Sequence, residues 1–172
     1  MKQTIKMIRK AFVFTGFFLI GYNSLYAQEL PRPDFVNVPA YYIKGSNELQ
    51  NLAKENFSMV GKIGKAMYEV QGVSSKVRIK QTDDYILIVK AGEIDPSTMM
   101  YLKKATVKKK KRQASMVAMQ GLTKVTTSKD DLPYHLKKLD DHVYQIIPES
   151  QLKPGEYFLI VAGATVYSFG IE

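Results

Sequence analysis

The residues best placed to do chemistry are cationic: Lys108, Lys109, Lys110, Lys111 and Arg112 stand in succession, with Lys103 and Lys104 shortly before them. Five consecutive residues of an extended strand cover about 16 Å and point alternately to both faces, so the run predicts a strand with neither face buried. Two uses fit such a strand. Lysines on an edge strand or hairpin tip block pairing with another chain. The same charges also form a patch for an anionic glycan or a lipid phosphate of a cell envelope. Nucleic acid is set aside, because no aromatic residue interleaves the run to stack a base.

His135 and His142 are the only histidines, and Asp140 and Asp141 adjoin the second. Two imidazoles and two carboxylates are the raw material of a metal site or an acid/base pair, the basis on which a metal-dependent hydrolase accessory role would rest. Their spacing of seven residues crosses an expected loop and matches no helical pair, so solvated loop residues are expected. Ser46, Ser58, Ser74, Ser75 and Ser168 lie in no Gly-x-Ser-x-Gly elbow. The paired acids Asp83-Asp84, Asp130-Asp131 and Asp140-Asp141 read as turn formers. With no cysteine there is no thiol nucleophile, thiolate site or disulfide. The expectation is a protein with no catalytic set, no cofactor and no metal ligands.

The elements that must position these residues read as strands. Val38 to Ile43 and Glu48 to Leu52 frame a turn at Lys44-Gly45-Ser46-Asn47 and predict an N-terminal hairpin. One of Tyr41 and Tyr42 should then face outward. The stretch from Ala53 to Tyr68 fits no clean period, with Gly61 and Gly64 interrupting it. Lys76 to Lys80 and Tyr85 to Val89 read as strands around Gln81 to Asp84. Glu93 to Ser97 reads as a loop in which Asp95 bonds the backbone two residues on. Met99 to Met119 holds one or two strands, and three more follow Pro133: His142 to Ile147, Glu156 to Val161 and Thr165 to Phe169.

The N-terminus carries an address. Lys2, Lys6, Arg9 and Lys10 precede twelve mostly apolar residues, Ala11 to Tyr22, and Ala27 precedes Gln28. This is the layout of a signal peptide over residues 1–27, while a membrane helix needs about 20 apolar residues. Leu25 is large for its place before the cut, and leaves an uncleaved N-terminal anchor as the other reading. Cleavage would leave 21 Lys and Arg against 16 Asp and Glu, a net charge of +5 in place of +9. The exported protein is expected in the periplasm, with the cell surface or secretion also open and no transmembrane anchor after cleavage. Pro31, Pro33 and Pro39 block helix between Gln28 and Pro39, so residues 28–37 read as an extended leader and residues 38–172 as one domain.

Leu152-Lys-Pro-Gly-Glu-Tyr157 joins two of the late strands. Pro154 and Gly155 suit a turn, and Tyr157 is expected to pack at the sheet edge with its hydroxyl bonded back to the loop, closing a crossover between two sheets. Here the chain resembles immunoglobulin-like and fibronectin type III-like sandwiches, and the resemblance covers Val143 to Glu172. The layout as a whole, with Ile94-Asp-Pro-Ser97, Pro-Gly-Glu-Tyr157 and Tyr167-Ser-Phe-Gly-Ile-Glu172, is similar to small exported proteins of Bacteroidota type. The resemblance implies an all-β, immunoglobulin-like antiparallel sandwich of seven to nine strands. The expected role is a non-enzymatic binding or scaffolding module of the envelope, with a glycan, lipid or protein partner. The alternative is an assembly subunit that acts by strand addition.

Overall fold

A computed structural model describes residues 31–46, 48–62, 65–116, 118–120, 124–126, 128–162 and 165–172. Residues 1–27, where a signal peptide is expected, lie outside the described residues. In chain order the elements are β1 (Ala40–Ile43), β2 (Leu49–Asn51), β3 (Ala53–Glu55), β4 (Phe57–Val60), β5 (Met67–Gln71), β6 (Arg78–Ile79), β7 (Tyr85–Lys90), α1 (Pro96–Met99), β8 (Met100–Lys108) and β9 (Lys111–Ser115). They continue with β10 (Ala118–Gln120), β11 (Lys124–Thr126), β12 (Tyr134–Asp140), β13 (Val143–Pro148), β14 (Gly155–Val161) and β15 (Thr165–Ile171).

The chain is all-β, and its strands pair antiparallel except for β6 beside β15. One sheet has the order β12-β13-β7-β1-β2. The expected N-terminal hairpin is its β1-β2 pair, with Tyr42 opposite Leu49 and Gly45 at φ +88° in the turn. Both Tyr41 and Tyr42 are buried, so the expected outward tyrosine is absent. Tyr41 enters the core between the sheets, and Tyr42 packs on the other face with Ile86, Ile88 and Val143.

The second sheet has the order β3-β15-β14-β8-β9-β5-β4, and β3 and β4 are consecutive in the chain with only Asn56 between them. Its two ends are therefore one kinked strand. The sheet closes on itself as a six-walled barrel, which removes its open edges. Three walls of this barrel also serve as a layer of a sandwich. On β14, Tyr157, Leu159 and Val161 face the five-stranded sheet and meet Tyr41, Leu87, Val89 and Ile146. Phe158 and Ile160, one residue out of phase, fill the barrel with Tyr68, Val70, Ala105, Ala114 and Val166. This two-sided burial explains the unbroken apolar run at Phe158 to Val161, since neither face reaches water. Each fully buried leucine or phenylalanine of these clusters contributes about 1.5–3 kcal/mol.

Several local expectations change here. Asp95 does accept from the Ser97 amide at 2.8 Å, but the bond caps a single helical turn, α1, where a loop was expected. Tyr134–Asp140, between Pro133 and the strand expected from His142, is a further strand, β12, whose apolar pattern is weak: Tyr134 and Leu136 pack on the core between the sheets and Leu139 on the other face, while His135, Lys137 and Lys138 face solvent. The leader is tied down from Arg32 onward: Arg32 pairs with Asp140, and the Asn37 amide donates to the Lys90 carbonyl at 2.7 Å.

Candidate functional site

The basic run divides at a tight turn. β8 and β9 are joined by Lys109 and Lys110, whose φ angles of +49° and +63° put two successive lysines in the left-handed region. Glycine, which has no Cβ, and asparagine, whose short side chain bonds the local backbone, are the usual residues there, while other side chains cost roughly 1–2 kcal/mol at each such position. The turn is thus made of residues that turn geometry does not favour. Backbone outliers of this kind point from structure toward use. Lys108, Lys109 and Lys110 are exposed and make no ion pair among the described residues. Lys111 instead lies against Glu69, Nζ to Oε1 at 2.5 Å, and Gln113 donates to the other oxygen at 2.6 Å. These two donors hold the Glu69 carboxyl below the usual carboxylate range.

Arg112 overturns the expectation that neither face of the run is buried. It is only 2% exposed and points into one end of the barrel. Its Nη2 reaches Glu55 Oε1 at 2.7 Å, its Nε reaches the Gly72 carbonyl at 3.3 Å, and its Nη1 lies 3.7 Å from Glu156 with no hydrogen-bond partner. Arg78 pairs with Glu156 across Gly170 and with Glu172 at 3.0 Å. The Val77 amide donates to Ser75 Oγ at 3.1 Å, Ser75 Oγ lies 2.8 Å from Ser168 Oγ, and the Ser168 hydroxyl donates to Glu55 at 2.5 Å. A serine bonded to a carboxylate has the form of a nucleophile and its base, but Ser168 is fully buried and no reactant reaches it. The cluster closes the barrel end. Nor is the strand an open edge, because β9 is paired on both sides.

A second buried cation was not expected either. Lys103 is 0% exposed and pairs with Asp131. Asp130 accepts from the Ser115 amide at 2.8 Å and from its hydroxyl. These acids form the turn that was expected of them, and Asp131 also neutralises a lysine. The only signal for Arg112 or Lys103 was strand parity, since each alternates with the apolar or small residues Ala105 and Ala114.

The two histidines do not meet. His135 sits on β12 beside Glu149 at 3.5 Å, while His142 lies in the β12-β13 turn at φ +57°, with Asp141 at 3.6 Å and the Gly92 carbonyl at 3.3 Å. β12 runs on from His135 to Asp140 before the turn that carries His142, so the two imidazoles stand toward opposite ends of one strand. No group of three His, Asp or Glu able to hold a metal occurs among the described residues. A groove of about 450 Å³ beside His142 is lined by Arg32, Val36, Lys90, Glu93 and Asp141, charges of both signs with no common focus.

At the corner, the Tyr157 hydroxyl donates to the Lys153 carbonyl at 2.5 Å, beside Pro154 and with Gly155 at φ +154°, where the chain passes from β13 in one sheet to β14 in the other. The ring is not at an edge: it is 2% exposed, stacked on Phe169 at 5.3 Å, because β14 is flanked by β8 and β15. Among the described residues no helix is long and apolar enough to cross a membrane. Comparison with protein-family models, with curated proteins and with solved structures finds no match to this chain.

Proposed function

We propose that the mature chain is an exported, non-enzymatic binding module of the cell envelope that attaches to an anionic surface through the β8-β9 tip. The observation that carries this reading is the turn itself: three exposed lysines without ion pairs among the described residues, two of them at positive φ. Elsewhere in the run Lys111 and Arg112 are neutralised by Glu69, Glu55 and Glu156. Export rests on the basic and apolar layout of residues 1–27. An immunoglobulin-like class for the sandwich rests on the Tyr157 corner, and the closed barrel is the part that departs from two open sheets.

The test replaces Lys108, Lys109 and Lys110 by glutamine and measures retention on anionic polysaccharide and on envelope extracts at low and high salt. Each lysine near an anionic surface is worth about 1 kcal/mol, so the triple variant should bind at least tenfold more weakly at low salt. Equal binding by the variant and the parent would refute the reading. N-terminal sequencing of the exported product should begin at Gln28, and a retained Met1 would overturn cleavage.

Strand addition at β12 is the second reading, favoured by its place at the rim of the five-stranded sheet. Lys137, Lys138 and the register shift between Lys138 and Asp140 blunt that rim, as such devices do on other edge strands.

A further inference from the structure

Two exposed valines accompany the lysine turn. Val107, directly before Lys108, is 47% exposed, and Val73 is 51% exposed. The Gly72 amide donates to the Lys110 carbonyl at 3.0 Å, which lays the loop carrying Val73 against the turn. That loop is pinned from inside the barrel at both ends: Arg112 Nε holds the Gly72 carbonyl, and Glu156 Oε2 accepts the Ser75 amide at 2.7 Å. The buried cluster thus fixes where Val73 stands relative to the lysines. Glu69, an acid on the neighbouring strand, is already taken by Lys111 and Gln113.

We propose that this tip is a dock for an anionic lipid surface, in which Val73 and Val107 enter the headgroup boundary while Lys108, Lys109 and Lys110 meet lipid phosphates. The proposal rests on the reading of the tip as the anion-binding surface and names its partner. Aliphatic side chains beside cations suit the boundary between headgroup and acyl chain. A sugar polymer makes no use of them, since stacking on a sugar calls for an aromatic ring, and the large hydrophobic side chains exposed at the tip are both valines. Because β9 is paired on both flanks, the apex is held in a fixed conformation and loses little freedom on docking.

The protein recovered from its exporting host is tested by co-sedimentation with vesicles of phosphatidylglycerol and phosphatidylcholine, with vesicles of phosphatidylcholine alone, and by retention on dextran sulfate. The expected result is binding to the anionic vesicles and not to the neutral ones. Val73→Ser with Val107→Ser should weaken vesicle binding by about twentyfold, from the apolar surface removed, and leave dextran sulfate retention unchanged. Lys108, Lys109 and Lys110→Gln should weaken both. Because the chain has no cysteine, Val107→Cys carries a single environment-sensitive dye, whose emission should shift to the blue on anionic vesicles. Unchanged vesicle binding by the valine variant, or no dye shift, overturns the lipid dock and leaves the basic-tip reading standing. Unchanged binding by the lysine variant to both probes overturns that reading as well, as does failure of the parent protein to bind either.

Discussion

Replacing Arg112 by methionine removes a guanidinium from the closed end of the barrel while keeping most of the side-chain volume. Arg112 is 2% exposed and meets Glu55 at 2.7 Å, so its removal strands a carboxylate that, among the described residues, retains the Ser168 hydroxyl alone. Breaking a buried pair from one side costs about 3–5 kcal/mol. Two features reduce this. Glu55 is 18% exposed, and Glu156 keeps Arg78 and the Ser75 amide. The variant also loses the unpartnered Nη1, whose burial costs about 1–3 kcal/mol. The expected loss is therefore about 2–3 kcal/mol, read as a lower urea midpoint with an unchanged slope at neutral pH. Glu55→Gln in the same chain should recover at least about 1 kcal/mol, because the stranded group then carries no charge. A single variant within about 0.5 kcal/mol of the parent, or a double variant no more stable than the single, would refute the reasoning that this network is held by compensation of buried charge.

Further outcomes follow from the same contacts. A Cβ at Gly170 would collide with the Arg78 guanidinium, so Gly170→Ala must swing that group off Glu156 and should cost about 1–2 kcal/mol in urea unfolding, a cost that Arg78→Ala in the same chain should largely absorb. Tyr157→Phe removes the bond to the Lys153 carbonyl without altering the ring stack, and about 1 kcal/mol of destabilisation is expected in the same assay. The Glu69 carboxyl is lowered by Lys111 and Gln113, so its contribution is present above the unfolded carboxyl's value and is lost as pH falls through the folded one. Unfolding followed against pH should show the parent and Glu69→Gln converging in acid, and parallel curves would count against the contact. Burial, then Tyr101 and Asp95, push the Tyr134 phenol up to about 12, so its phenolate absorbance should appear well after that of exposed tyrosines.

Much of the sheet content was legible because turn chemistry and apolar runs are local signals. The hairpin about Gly45, the strands of the last thirty residues and the Asp95 bond to Ser97 can each be read within a window of a few residues. β12 was not, because an edge strand needs only one apolar face and its alternation is broken between Lys138 and Asp140. More strands occur than the seven to nine expected, since one stretch from Leu49 to Val60 changes sheets at Leu52 and kinks at Asn56 to become β2, β3 and β4.

For the basic run, the sequence by itself determined that five cations lie together and that a tight connection is possible among them. It could not assign each cation a side. That assignment depends on where the turn falls, because a shift of one residue along a strand reverses which side chains face the barrel. With Lys109 and Lys110 in the turn, Lys108 remains in water, Lys111 meets Glu69, and Arg112 faces inward to Glu55 and Glu156, residues 57 and 44 positions away in the chain. Burying a guanidinium is tolerable only where carboxylates wait for it, and only barrel closure brings those carboxylates to one end.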